Sequence, residues 1–358
     1  QRQMCIRDSC ITFGLFQFLS IYTYVGNAGM RKELRQMHMA VTDEETASPE
    51  YESAYADYKK TYGGMYDTLD MRKILEQKEK KSGYEPQGVW GSWIVRNYDR
   101  LQKRVEQIRK TGEGTYAFYP GSWYKLHTTL YGKLWKKLIL QTAVLMILSM
   151  LYLMDYERIY KTQDLVLTTT TGKKMMEKKM LAGALCGLFY AGLLTVFTLL
   201  VFFAAVPFQN LWHVPVAACM VAEPRLQMMY PFVTFWWLEQ WRYFLLALVV
   251  LVGLLGIIAV VTAAVQLFLQ NSYFSFAVLG LLFMGAYLLA YVQMGNVWDL
   301  IRELFNPTVL YATSGGWFME NDLCLSFAGN EFAVLFCSGT AAVCLMAVGK
   351  RRYHRLEV

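Results

Sequence analysis

Residues 243–298 read YFLLALVVLVGLLGIIAVVTAAVQLFLQNSYFSFAVLGLLFMGAYLLAYVQMGNVW, and these fifty-six residues contain no Asp, Glu, Lys or Arg. A helix needs about 20 apolar residues to cross roughly 30 Å of hydrocarbon, so the run is too long for one span. The polar residues Gln270, Asn271 and Ser272 divide it where two helices of suitable length would meet. The run therefore predicts two membrane helices joined by a tight turn.

The rest of the chain also favours a membrane protein. Its residues are 55% hydrophobic and only 18% charged, with a mean hydropathy of +0.24, which leaves too little polar surface for an ordinary soluble domain. We therefore predict an all-α polytopic membrane protein with six transmembrane helices. The six windows without charged residues are Ile11–Val25, Leu138–Met154, Met180–Val206, Tyr243–Leu269, Ser275–Gln293 and Phe332–Gly349.

The distribution of basic residues predicts the orientation in the cell membrane. The tail 350–358 begins KRRYHR, and the loop 155–179 holds six Lys and Arg residues. Short loops rich in Lys and Arg stay in the cytoplasm, so we expect both termini and this loop on the cytoplasmic side. The segments 26–137 and 294–331 then lie outside.

The first nine residues, QRQMCIRDS, look like translated sequencing-adapter sequence. On that interpretation residues 1–9 are artefactual and residues 1–25 are a truncated first transmembrane helix. The alternative is a short native terminus.

The segment 26–137 is predicted to be a helical extracellular domain inserted after the first span. Stretches such as MRKILEQKEKK and YDRLQKRVEQIRK place apolar residues three and four positions apart, as in amphipathic helices. Its end is rich in Trp and Tyr, which fits either a platform for sugars or cations, or a small core with a belt at the outer membrane surface. We favour the second because Trp and Tyr gather at headgroup level.

The loop 155–179 contains TTTTGKK, which suggests a phosphate-binding loop, but the motif is incomplete. A P-loop needs G-x-x-x-x-G-K-[ST], whereas Leu167 stands at the first glycine position and Lys174 follows Lys173. Apolar residues between the charges favour an amphipathic element that contacts a soluble partner. A solvated loop that only fixes the orientation is the alternative.

The loop resembles the coupling segment of type-2 ABC exporter permeases (ABC-2 type permeases). The resemblance lies in an acidic pair after the second span, then DLVL, a hydroxyl-rich turn, a basic pair and a lysine leading into the third span. Six spans, the large insertion and the outer segment before the last span are also similar to that family. It implies a cytoplasmic coupling segment 155–179 and re-entrant outer helices within 294–331. The residues expected to couple the chain to an ATPase are Glu157, Asp164, Leu165, Leu167, Thr169, Gly172, Lys173, Lys174 and Lys179.

The resemblance further implies a permease subunit that exports an amphiphilic or lipid-like substrate by alternating access. ATP and Mg would bind a separate ABC ATP-binding subunit, and the permease would act as a homodimer or heterodimer among membrane lipids. The chain itself would have no catalytic, cofactor or metal residues, and no nucleic-acid partner. The alternative is a non-transporting membrane sensor or scaffold that binds a ligand with its extracellular domain.

Other chemistry finds little support in the sequence. The four histidines are far apart, and none of the seven cysteines forms a zinc-type pair. Cys219 and Cys324 fall in predicted outer loops, where they could pair or remain free thiols. The absence of charged residues within the predicted spans argues against a proton-driven carrier.

Overall fold

The structure is a computed structural model. It describes residues 2–27, 53, 56, 66–82, 88–113, 126–160, 162, 172–206, 208, 211–218, 233–292, 297–320 and 327–356.

Six helices in the described part of the chain are long and apolar enough to cross a membrane, which confirms the predicted number of spans. Numbered first to sixth in chain order, the spans are Ile6–Gly26, Thr128–Met154, Met175–Ala205, Gln240–Leu269, Ser272–Ala290 and Asn330–Tyr353. The helices that contain the first, third and sixth spans extend over Arg2–Gly26, Gly172–Ala205 and Asn330–Leu356.

Shorter helices occupy the connections between the spans. In the described residues 66–113 of the insertion, two helices are found, here called the insertion helices, Met71–Ser82 and Gly88–Thr111. A short helix, Tyr156–Ile159, follows the second span. Two more, called the outer helices, precede the sixth span at Val297–Leu304 and Thr308–Ala312.

The turn between the fourth and fifth spans lies where the sequence predicts it. Gln270 ends the fourth span in the left-handed region, with φ of 49°. The side-chain oxygen of Asn271 accepts hydrogen bonds from the backbone N–H groups of Tyr273 and Phe274, at 3.0 and 3.2 Å. This is an N-cap of the fifth span, so two local signals are enough to reverse the chain.

The second span lies at the centre of the bundle. It packs against the first, third, fourth and fifth spans, and the sixth span packs along the fourth. Leu138, Leu145 and Met146 of the second span are completely buried. The bundle therefore has an apolar core of its own in addition to the surface that faces lipid.

Close packing of the second and third spans depends on two glycines. A Cβ atom at Gly183 would lie 3.2 Å from the Cα of Met150, and one at Gly187 would lie 3.1 Å from the Cα of Met146. The GxxxG pattern of the third span is thus used for helix contact. In the fourth and fifth spans, a Cβ at Gly253 would meet only the flexible side chain of Leu335, at 2.9 Å, and one at Gly256, Gly280 or Gly285 would meet nothing within 4 Å.

Two helices extend beyond the apolar windows of the sequence. The helix that contains the second span begins its candidate span at Thr128, ten residues before the predicted window Leu138–Met154. Lysines lower the hydropathy there, but Tyr131, Leu134 and Trp135 on the opposite face are buried in the bundle. The helix of the third span begins at Gly172 rather than Met180, because Met176 and Met180 continue its apolar face.

The insertion helices form a small core and dock on the loop between the third and fourth spans. Met71, Leu101 and Ile108 are buried together with Ala217 and Val233 of that loop. The insertion helices therefore have a small apolar core. The aromatic residues behind the predicted membrane-surface belt include Trp93 and Tyr98, which pack in this small core, while those at 116–124 lie outside the described residues.

A buried ion pair joins the insertion to the same loop. Arg104 donates to both carboxylate oxygens of Glu113, at 2.8 and 2.5 Å, and to the carbonyl of Thr234 at 3.0 Å. Tyr98 also reaches Glu320, close to the sixth span, at 3.4 Å. The insertion helices, residues 211–218 and 233–240, and Glu320 therefore lie at one end of the described bundle, called the domain end. The opposite end, with residues 155–160, 172–179 and 350–356, is called the basic end.

Candidate functional site at the basic end of the bundle

The end of the second span is bonded to the start of the fifth. Asp155 follows the last turn of the second span, and its Oδ2 accepts a hydrogen bond of 2.7 Å from the hydroxyl of Ser272. The same hydroxyl lies 3.3 Å from the carbonyl of Leu151. This hydrogen bond therefore links Asp155 directly to the amino end of the fifth span.

An ion pair closes the loop 155–179 at its base. The Nζ of Lys179 lies 2.5 Å from Oε1 of Glu157, and each side chain is only 15% exposed. A charge-assisted contact of this length in a partly buried position is among the stronger polar contacts of a protein. The two ends of the loop, one after the second span and one at the start of the third, are thus held together.

A second ion pair extends this connection to the last helix. The Nζ of Lys350 lies 3.0 Å from Oε1 of Glu177, in a more exposed position. Exposed pairs contribute little to stability, but this one shows that the beginning of the third span and the end of the sixth lie side by side. Asp155, Glu157 and Glu177 therefore connect four spans at one end of the bundle.

Two of the nine predicted coupling residues, Glu157 and Lys179, are brought together by the structure. Gly172 begins the third helix, and Lys173 and Lys174 occupy its first turn. Asp164, Leu165, Leu167 and Thr169 lie outside the described residues, so the predicted docking element is not among the described helices. The basic pair belongs to an extension of the third span and not to a separate helix.

A buried polar cluster at the domain end was missed by the sequence reasoning. Asn330 donates to Glu303 at 2.6 Å, and Glu331 accepts from the backbone N–H of Phe318 at 2.6 Å. Both carboxylates are almost completely buried. A signal was available, because Asp299, Arg302 and Glu303 share one face of the short helix VWDLIREL.

The same end contains a packed aromatic group. The rings of His127, Tyr131 and Tyr243 lie within 4.9 Å of one another, centroid to centroid. Burial lowers the pKa of His127 to about 4, despite hydrogen bonds that raise it, so this imidazole is neutral at pH 7. The rings are in mutual contact and leave no room for a ligand between them, so the group acts as core.

The residues next to this group form an irregular helix. Thr128–Leu134 is a π-helix, a form often found at functional sites. Gly132 in it approaches the outer segment so closely that a Cβ on Gly315 would lie 3.0 Å from the Cα of Gly132. The second span and the segment after the outer helices are therefore in backbone contact.

The described residues contain no group of His, Cys, Asp and Glu side chains that could hold a metal ion. Cys219 and Cys324, which the sequence suggests as a possible pair, lie outside the described residues.

Comparisons of the chain with protein-family models, with curated proteins and with solved structures found no match.

Proposed function

We propose that this chain is the membrane-spanning permease subunit of an ATP-driven transporter of the type-2 ABC exporter kind. Support comes from the six spans, the helical insertion after the first, and the short helices before the sixth. The observation that carries the proposal is the Glu157–Lys179 ion pair. It converts a long loop into an element whose two ends move together, as a coupling segment requires.

Energy would come from a separate ATP-binding subunit, because the P-loop pattern in the sequence is incomplete. Closure of two such subunits would press on the 155–179 segment of each of two permease chains. The bonds of Asp155 to Ser272 and of Glu177 to Lys350 would pass that displacement to the fifth and sixth spans. The outer helices join these two spans at the domain end, where they are placed to open or close an exit.

The amphiphilic or lipid-like nature of the cargo rests on the apolar and aromatic character of the third to fifth spans. Their lipid-facing surfaces include exposed Phe189, Leu245 and Phe274. An amphiphile could enter the bundle from the membrane along such surfaces without first crossing water.

Association with the ATP-binding subunit tests the proposal. We expect the double variant Leu165→Asp and Leu167→Asp to lose copurification with an ATP-binding subunit that the unaltered chain retains. Apolar anchors dominate helix-in-groove contacts, and each buried leucine contributes about 1.5–3 kcal/mol. The matched control, Lys173→Arg with Lys174→Arg, keeps the charge and should copurify normally.

Correct folding of each variant is checked by its thermal unfolding in detergent. Normal complex formation by the double Asp variant would return the loop to the role of a solvated orientation signal.

A sensor or scaffold is the second candidate, and one observation favours it. The hydrogen bond from Arg104 to the carbonyl of Thr234 and the Tyr98–Glu320 contact connect the insertion to segments that lead into the fourth and sixth spans. A ligand on the insertion could act on the spans through them. A sensor needs no ATPase, so the absence of a copurifying P-loop protein at native expression levels would favour this candidate.

A further inference from the structure

The first and second spans face each other through a ladder of polar contacts. Positions 133, 137 and 141 of the second span are four residues apart, and they meet positions 24, 20 and 17 of the first span in reverse order. Residues three or four apart lie on one helix face, so the contacts form a continuous line, here called the polar stripe. They are Lys133 Nζ over the Tyr24 ring at 5.8 Å, Lys137 Nζ to Ser20 Oγ at 2.9 Å, and Gln17 Nε2 to Gln141 Oε1 at 2.8 Å.

The stripe carries positive charge that no described carboxylate balances. Among the described residues, neither Lys133 nor Lys137 forms an ion pair with Asp or Glu. Lys136 beside them contacts the carbonyl of Ala312 at 3.5 Å and the ring of Tyr311 at 5.2 Å. Three lysines within five positions thus have only neutral partners in the described structure.

Lys137 lies close enough to the apolar layer for the lack of a counter-ion to matter. Lys137 is seventeen residues before Met154, where the second span ends, and this corresponds to roughly 26 Å of helix. The apolar layer of a membrane is about 30 Å thick. The base of this side chain therefore lies at or inside the edge of the layer, where a cation requires an anionic or strongly polar partner.

The inner end of the stripe is closed by a contact between the two spans. Gln17 is completely buried, and its Nε2 donates to Oε1 of Gln141 at 2.8 Å. The part of the stripe that a ligand can reach is therefore the pair Lys133 and Lys137.

We propose that the polar stripe binds the headgroup of an anionic amphiphile. Its phosphate or carboxylate would lie between Lys133 and Lys137. Its acyl chains would cover the exposed apolar side chains next to the stripe, such as Phe16 and Leu140, which are 58% and 54% exposed. The inference concerns binding and does not depend on the transport function proposed above.

Lipid binding to the purified full-length protein tests the proposal. The probes are phosphatidylglycerol and phosphatidylcholine with identical acyl chains, titrated into the protein in a neutral detergent and measured by native mass spectrometry. We expect one phosphatidylglycerol to bind at least tenfold more tightly than phosphatidylcholine. The double variant K133Q/K137Q should lose this preference, whereas K133R/K137R should keep it.

The control K103Q/K110Q removes the same charge from exposed sites on the second insertion helix and should bind like the unaltered protein. Soluble glycerol phosphate separates a free anion from a lipid, and we expect it not to compete at equal concentration.

Three results would overturn the proposal. They are equal affinity for the two lipids, unchanged preference in a K133Q/K137Q protein that unfolds at the normal temperature, and full competition by glycerol phosphate. If K133Q/K137Q unfolds below the normal temperature, the variants K133R/K137R and K103Q/K110Q still test the proposal. Loss of the preference for phosphatidylglycerol in K103Q/K110Q, with the preference kept in K133R/K137R, would show that net charge and not the stripe is recognised.

Discussion

Replacing Gly187 by alanine tests the packing at the centre of the bundle. The added Cβ would lie 2.5 Å from the sulfur of Met146 and 3.1 Å from its Cα. The sulfur can move by a change of rotamer, but the Cα belongs to the backbone of the second span and is completely buried. Relief of the second contact therefore requires the second and third spans to separate.

The size of the effect follows from these distances. Carbon atoms pack best at roughly 3.5–4.0 Å, so the spans would have to move apart by about 0.4–0.9 Å along this line. Overpacking of this kind costs about 1–3 kcal/mol, while alanine recovers up to about 1 kcal/mol of helix propensity relative to glycine. We expect Gly187→Ala to lower the free energy of unfolding by about 0–2 kcal/mol relative to the unaltered protein, and by about 1–3 kcal/mol relative to Gly192→Ala, which gains the same helix propensity.

The measurement is reversible unfolding in mixed micelles, followed by tryptophan fluorescence. Gly192→Ala is the matched control, because this glycine lies in the same helix and a Cβ there meets nothing within 4 Å. It should be neutral or slightly stabilising. If Gly187→Ala and Gly192→Ala unfold at the same denaturant concentration, the second and third spans do not pack as described.

Three further predictions concern orientation, docking and pH. A single cysteine at Lys78 should react with an impermeant thiol reagent in whole cells and one at Lys173 should not; labelling at the second position would contradict the orientation. Glu113→Gln leaves the buried guanidinium of Arg104 without its charged partner and should destabilise the docked insertion by about 3–5 kcal/mol, which is measured as faster proteolysis. The control Asp67→Asn breaks only an exposed ion pair with Arg109 and should cost less than about 1 kcal/mol. Burial lowers the pKa of His127 to about 4, so the unfolded chain takes up this proton first as the pH falls below about 6.5. The free energy of unfolding should therefore decrease by roughly 2 kcal/mol between about pH 7 and about pH 5. His127→Gln should lose that part of the pH dependence, and an unchanged dependence of the unfolding free energy on pH would show that the imidazole is not buried.

The number of spans and the tight turn could be predicted from the sequence because both depend on local properties. Hydropathy over about 20 residues measures how favourably a segment moves from water into the apolar layer. This quantity does not depend on which helices are neighbours. The turn at Gln270 and Asn271 uses a cap that forms within a few residues. Features of this kind need no knowledge of distant parts of the chain.

The boundaries of the second and third spans could not be read in the same way. Lys133 and Lys137 lower the hydropathy of the first turns of the second span, yet they lie on the face that meets the first span while the opposite face is buried. A window average adds the two faces together and hides this arrangement. The use of a glycine in packing could not be predicted from the sequence either. Gly187 and Gly256 both lie in apolar helices, and of the two only Gly187 meets a neighbouring backbone.

The candidate sites depend most on the tertiary structure. The sequence suggested Glu157 and Lys179 separately, through a resemblance, and it did not indicate that they form an ion pair. Lys137 and Ser20 are 117 positions apart, and their contact exists only because the first and second spans run antiparallel side by side. The sequence by itself determined which segments leave water. Which polar groups then meet was decided by the packing of the helices, because burial drives a segment into the apolar layer without specifying its neighbours.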